Sequence, residues 1–455
     1  MTTTVFKGDS PPIASVEDLI QHFREGEKPR ERWRVGTEHE KLGFSRSTHE
    51  PLPFGGERGV FAILEGFRTR FGWQPVREGE TVIALTRGEA SITLEPGGQL
   101  ELSGAALASA HDICAELAVH TREMRAIAAD LDVVLLMLGR NPTVPSARMP
   151  WMPKERYAIM RRYLPTRGSL ALDMMLGTGT VQTNIDYADE ADMARKLRVA
   201  MGLSPFLTAL YANSPFVDGR PSGYLSARAR VWEHTDPDRC GFVPVVFEPG
   251  FGYRDYAEYA LDVPMFFIHR NGHYLDYSGR SFRRFLEEGL DGHRATAEDW
   301  ALHLTTLFPL ARVKQYIELR MTDVGPVDMI CAFTALTRGL LYDDAALAGA
   351  DAIVQQIPPH QLPALQVDAA RLGLHAEVLG RSFQAWVQEL LQLARGGLER
   401  LNVEDAMGEN EVKHLAPLVR IAESGQTLAE RLLHRWETEW GHSLEPLFDD
   451  PQFTF

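Results

Sequence analysis

Hydrophobic and polar positions alternate with a period of two along several short stretches of the chain and recur at helical spacing along others, and these two rhythms predict most of its elements. Ser15-Val-Glu-Asp18 reads as a capping box opening a helix through Phe23. A strand is expected over Arg34 to Phe44, a loop over Pro51 to Gly59 and a helix over Val60 to Phe67. Ser91 to Ser103 reads as a hairpin turning at Pro96-Gly97-Gly98. Leu107, Cys114, Leu117, Met124 and Leu131 fall on one stripe, which predicts a long helix from about Ala105 to Asp130 with Cys114 in the core. Strands over Val133–Leu138, Thr178–Tyr187 and Val313–Met321, and a helix over Ala191–Tyr211, complete the first three-quarters. From Val327 onward the pattern is helical. Strands that give way to helices predict an α+β fold with a largely antiparallel sheet. The best boundary divides residues 15–326, a catalytic sheet with helices, from a mostly helical part at 327–455, within one catalytic unit over 1–455.

The polar sides of these strands carry unusual chemistry. Residues two apart share a face, so Glu38 and Glu40 fall together, opposite Val35, Thr37 and His39. Glu101 opposes Leu100 and Leu102, and Glu95 stands just before the turn. Gln182 and Asn184 share a face. On the stretch Val313–Met321, the set Lys314, Tyr316, Glu318 and Arg320 is expected on one side of a single strand. One wet sheet face explains any one of these patterns. Together they gather carboxylates that repel one another unless cations separate them. Oxygen donors of this kind suit Mg2+, which shares its shell with substrate phosphates, and neighbouring cations suit phosphoryl transfer.

Composition narrows the classes. A formal charge of -15 argues against general nucleic-acid binding. Three separated cysteines, Cys114, Cys240 and Cys331, predict no disulfide framework, no zinc cluster and a reducing compartment. No apolar run approaches the ~20 residues of a membrane span, and Met1 to Pro12 reads as neither a signal nor a transit peptide. The expected location is therefore cytoplasmic. No Gly-Lys dipeptide occurs, which removes a Walker A loop, and no G-x-S-x-G elbow is present.

Arg34-Val-Gly-Thr-Glu-His-Glu-Lys41, Ser91 to Gly104, Met152 to Met160, Leu172-Asp-Met-Met175 with Thr180 to Asn184, and His303 to Pro309 with Tyr316 to Arg320 resemble, in order, the plant and proteobacterial type of glutamate–cysteine ligase. The resemblance runs from about residue 15 to 440. It implies a glutamine-synthetase-like fold, a curved and mainly antiparallel sheet forming a funnel with helices outside. It implies an enzyme joining the γ-carboxylate of L-glutamate to the amine of L-cysteine with ATP, through a γ-glutamyl phosphate. The products are γ-glutamylcysteine, ADP and phosphate, in the first step of glutathione biosynthesis. By the same resemblance, Glu38, Glu40, Glu101 and Glu318 match acids that hold magnesium, two or three ions in all, with Glu95 and Gln182 as further positions. Arg320 matches an arginine facing the transferred phosphoryl group, with Glu318 and Lys314 beside it. Arg228, in Leu225 to Trp232, matches the arginine for the glutamate α-carboxylate. Lys154, Arg156, Arg161, Asn184 and Tyr316 are candidates for substrate or phosphate contacts. Neither a nucleic-acid nor a membrane partner is expected, and the chain is expected to act as a monomer or homodimer. The plant members' extension and regulatory cysteine pairs are not matched. Two rival readings remain: a same-fold ligase using another amine or another acid, and a catalytically inactive nucleotide-binding regulator. Trp73, Trp151 and Trp232 are expected to pack, and Gly55-Gly56 to form a surface turn. His303 has equal claims to structure and chemistry.

Overall fold

The computed structural model describes residues 11–455. Among them, nine strands form one sheet with every pairing antiparallel. In chain order these are β1 (Val35–Ser45), β2 (Gln74–Glu78), β3 (Thr81–Arg87), β4 (Ala90–Leu94), β5 (Leu100–Ser103), β6 (Val133–Leu136), β7 (Thr180–Ile185), β8 (Ala311–Val313) and β9 (Ile317–Asp323). Their spatial order is β8-β9-β7-β1-β5-β4-β3-β2, and β6 pairs with the far half of β1. The sheet is open, with β8 and β2 at its edges, so the architecture is α+β.

β1 sits at the centre because each of its faces has a separate task. Thr37, His39 and Lys41 point to the helical side. There Thr37 Oγ1 meets Thr334 Oγ1 at 2.8 Å, on helix Val327–Leu341, and Lys41 Nζ meets His120 Nε2 at 3.1 Å, on helix Ala110–Leu131. Glu38 and Glu40 point the other way, as period-two alternation requires. Among the described residues, the main hydrophobic cluster runs from Leu19 to Phe455 and includes buried residues on both sides of position 327.

Several local expectations hold. Ser15 caps helix Val16–Arg24 in a capping box with Asp18. The β4–β5 turn closes through Glu95 N–H to Gln99 O (2.9 Å) and Gly98 N–H to Glu95 O (2.9 Å), with Gly98 at φ +87°. A Cβ on Gly97 would stand 2.1 Å from Leu176 O, so glycine there lets helix Ala171–Gly177 lie against the turn.

Other elements differ from the sequence pattern, for physical reasons. The long helix begins at Ala110, because residues 104–107 still pair with β1 and Ser109 supplies the cap. The helix expected over Ala191–Tyr211 is two, Glu190–Gly202 and Ser204–Leu210. Pro205 lacks the N–H that would continue the first. The β2–β3 hairpin, turning at Gly79 (φ +55°), escaped the reading. Val313–Met321 is not one strand. Lys314–Tyr316 turn the chain between β8 and β9, pairing Arg312 with Glu318 and Val313 with Ile317. The expected lack of cysteine pairing is also corrected. Cys114 and Cys331 form a disulfide joining helices Ala110–Leu131 and Val327–Leu341, while Cys240 is a free thiol. The partners lie 217 residues apart, so helix packing alone brings them together.

Candidate active site

The glutamate face of the central strands converges on one buried group of acids. Register places Glu40 directly opposite Glu101, on β1 and β5, and the β4–β5 turn brings Glu95 beside them. Carboxylate oxygens of Glu40, Glu95 and Glu101 all lie within 4.8 Å of one another, and all three are buried. Glu101 accepts hydrogen bonds from Thr93 Oγ1 (3.2 Å) and Ser103 Oγ (2.9 Å), and Glu40 accepts one from the Thr180 N–H (3.2 Å). Burial first, and then repulsion from Glu95 and Glu101, holds the Glu40 carboxyl well above the usual carboxylate range. Two residues along β1, Glu38 faces Gln182 on β7 and accepts a hydrogen bond from Asn184 Nδ2 (2.9 Å). Burial and the neighbouring Glu318 raise the Glu38 carboxyl to about 7.

Next to this group, Glu318 is surrounded by positive charge. Arg312 Nη2 lies 2.8 Å from both of its oxygens, Lys314 Nζ lies 3.0 Å away, and Arg320 Nη1 also donates to it. These cations hold Glu318 well below the usual range despite its burial. Lys314 sits in the turn, and Arg320 lies where the β9–β7 register shifts between Leu319 and Thr322. Arg320 is thereby aimed at Gln182, whose Oε1 accepts from Nη1 at 2.6 Å. A metal on Gln182 would share Oε1 with that bond, and one on Glu318 would have to replace a cation.

Arg228 enters from helix Ala227–Glu233, capped by Ser226. Its Nη2 donates to Arg320 O (2.9 Å), and Ser226 and Ser214 both donate to Asp323 at the end of β9 (2.8 and 2.6 Å). Burial lowers the Arg228 guanidinium to about 10. Arg228, Trp232 and Arg320 line two adjoining spaces. One is a narrow gap reaching Glu40 and Glu95; the other is a cavity of about 290 Å³ walled by Phe242, Phe308 and Pro363. Trp232 therefore forms a wall of the site as well as packing on Phe308.

Lys154 and Arg156, at the start of helix Glu155–Tyr163, are buried. Tyr157 ties that helix to the hairpin by donating to Leu94 O (2.5 Å). Burial and Arg156 lower the Lys154 ammonium to about 8. Arg161 is exposed and stacks over Trp151 at 4.5 Å, outside the buried set. Tyr316 is half-buried in the turn, beneath Lys314 Nζ at 4.7 Å. Trp73 packs against Phe67. Positions around Gly55-Gly56 are open. His303 is structural: its Nε2 bonds Ala260 O at 2.8 Å and its ring stacks on Phe282. Sequence reading missed Arg312 and Asp323. Arg312 is legible only once the turn at Lys314–Tyr316 is known, because that turn sets it opposite Glu318.

A sequence model described as glutamate-cysteine ligase family 2 matches residues 34–450. The chain belongs to that family. Its similarity to curated family members is extensive. It is 43% identical over 437 residues to the chloroplastic glutamate–cysteine ligase of Brassica juncea, covering 95% of this chain and 83% of the relative. It is 41% identical to that of Arabidopsis thaliana, covering 95% and 82%. Among solved structures, the fold is similar to a glutamate–cysteine ligase from Francisella tularensis in complex with AMP. The TM-score is 0.54 at 11% identity, covering 91% of this chain and 86% of that one. It is also similar to a bifunctional glutathione synthetase from Pasteurella multocida, with a TM-score of 0.51 at 13% identity, covering 95% and 53%. The expected cytoplasmic location is overturned, since these plant relatives of the ligase are chloroplast proteins. No described helix is long and apolar enough to cross a membrane.

Proposed function

We propose that the acid–cation face carries out the family's reaction in this chain. The chain ligates glutamate to cysteine, giving γ-glutamylcysteine. ATP activates the γ-carboxylate as an acyl phosphate, and the cysteine amine then displaces phosphate. The observation that supports this reading is the adjacency of two opposite charge sets, the buried Glu40–Glu95–Glu101 group and the cations Arg312, Lys314 and Arg320 around Glu318, with Arg228 and Arg320 lining the gap that reaches Glu40 and Glu95.

Glu40, Glu95 and Glu101 offer hard oxygen donors at one point, a set that fits Mg2+; Glu38 and Gln182 keep lone pairs beyond the hydrogen bonds they accept, and Glu318 would take part by exchanging a cation. Mg2+ held there would neutralise phosphate charge and align the chain of phosphates. Arg320 stabilises the charge on the moving phosphoryl group, while Gln182 and Glu318, the latter fixed by Arg312, hold its guanidinium in place. Lys314 adds positive charge on the same side. Arg228 binds the α-carboxylate of glutamate, and the cavity beside Trp232 receives an amino-acid side chain. Lys154 and Arg156, close to Glu95, take phosphate oxygens. The helices after Val327 back the sheet as part of the same catalytic unit.

Incubating the protein with ATP, glutamate and cysteine, with and without Mg2+, tests this. Equal amounts of ADP and γ-glutamylcysteine by mass, dependent on Mg2+, are expected. ADP release only with some other amine, or tight ATP binding without turnover, would overturn it.

A further inference from the structure

On the helical side of the sheet, away from the glutamate face, sulfur and nitrogen donors from three elements meet. His111 and Cys114 stand three residues apart on helix Ala110–Leu131, hence on one face of it. Cys331 comes from helix Val327–Leu341, and His414 from the short turn Glu411–Leu415. Ligand atoms of Cys114, Cys331 and His414 all lie within 4.8 Å of one another. His414 Nδ1 is 3.5 Å from Cys114 Sγ, and its Nε2 is 2.9 Å from His111 Nδ1. Cys331 is buried, whereas Cys114, His111 and His414 are half-buried, so the cluster reaches the surface.

In the disulfide form the two sulfurs are bonded to each other and carry no thiolate charge. Two electrons and two protons convert them to two thiols. A phosphine supplies the electrons and becomes a phosphine oxide with oxygen from water. Two thiols and one imidazole then remain at a single point, and the thiols ligate as thiolates once their protons leave. Soft sulfur with imidazole nitrogen selects zinc-class cations and not Mg2+, so this donor set is chemically distinct from the carboxylates of the other face. Three protein ligands leave the fourth tetrahedral position to water.

We propose that the reduced Cys114–Cys331 pair and His414 form a site for one thiophilic divalent cation of the zinc class. His111 is a positioning residue there: it accepts from His414 Nε2–H and leaves Nδ1 to the metal. Binding releases the two thiol protons as two metal–sulfur bonds form. The same two helices are thus joined by a disulfide when oxidised and by a metal when reduced, and the metal bridge adds the Glu411–Leu415 turn.

Cobalt(II) is the probe. The full chain is reduced with a phosphine, freed of excess reductant and titrated anaerobically. One equivalent should give thiolate-to-cobalt charge-transfer absorption together with tetrahedral ligand-field bands, and zinc should displace both. Oxidised wild-type protein should show neither, which provides a control without any substitution. Cys114→Ser should abolish the charge-transfer band, and Cys240→Ser should leave it intact. His414→Ala should weaken binding by at least roughly 10-fold, and His111→Ala by about 10-fold. Circular dichroism checks that each variant folds. Cobalt held only by carboxylates gives no thiolate band. Absence of that band in reduced wild-type protein, or its survival in Cys114→Ser, would overturn the site.

Discussion

Arg312 and Glu318 face each other across the β8–β9 hairpin as a fully buried, forked pair. Arg312 Nη2 lies 2.8 Å from both carboxylate oxygens and Nε lies 3.1 Å from one. The remaining nitrogen, Nη1, donates to Thr305 O and Leu307 O at 2.7 Å. A carboxylate fixed in this way is a stationary anchor for Arg320, which sits two residues along the same strand and bonds it as well.

Removing that anchor should destabilise the fold. Arg312→Ala leaves a buried carboxylate short of a cation, and breaking such a pair costs about 3–5 kcal/mol. Denaturant unfolding of Arg312→Ala should show a loss of this order. Arg312→Lys keeps the charge without the fork and should lie between the two. A loss under about 1 kcal/mol for Arg312→Ala would show that the pair is dispensable.

The two arginines at the cleft should fail differently. Arg320→Ala should lower kcat by about 10²-fold or more, with a smaller stability loss than Arg312→Ala. Arg228→Ala should act mainly on the KM for glutamate, because its assigned partner is a carboxylate present before and after phosphoryl transfer. Steady-state ADP release at varied glutamate separates the two. Normal kcat in folded Arg320→Ala would remove it from the chemistry.

Crowding of Glu40 with Glu95 and Glu101 makes a third prediction. Without divalent ions the group repels itself, so Glu40→Gln should be as stable as wild type or more so. With Mg2+ the order should reverse. The ion raises the melting temperature of wild-type protein, and this shift should shrink in Glu40→Gln as half-saturation rises by about 10-fold or more. An unchanged Mg2+ shift would place the ion elsewhere.

Buried histidines should make the protein acid-labile. Burial depresses His303 to about 3, and burial with Lys41 beside it depresses His120 well below its usual 6.5. Depressed rings refuse protons that the unfolded chain accepts. Their stabilising contribution is full above about pH 6.5 and is lost progressively as pH falls toward the folded-state value. Each ring steepens the stability–pH slope by at most about 1.4 kcal/mol per unit in that window. His303→Gln retains a donor for Ala260 O and should flatten the curve between about pH 6 and 4. An unchanged slope would mean that His303 is protonated inside the fold.

Local rhythm in the sequence determined a good deal. Period-two alternation put Glu38 with Glu40 on one face of β1, and Pro96-Gly97-Gly98 marked the turn that carries Glu95. These features depend on neighbours a few residues away, so they are visible in a linear text. Tertiary structure decided the rest. Lys314–Tyr316 turn the chain without glycine or proline, so the β8–β9 hairpin and the Arg312–Glu318 pair were hidden in what read as one strand. Cys114 and Cys331 meet only because two helices 217 residues apart in sequence pack together. The protonation of Glu38 and Glu40 depends on burial among other carboxylates from separate strands. Electrostatic energy follows distance and solvent exclusion, and neither is a property of residue order.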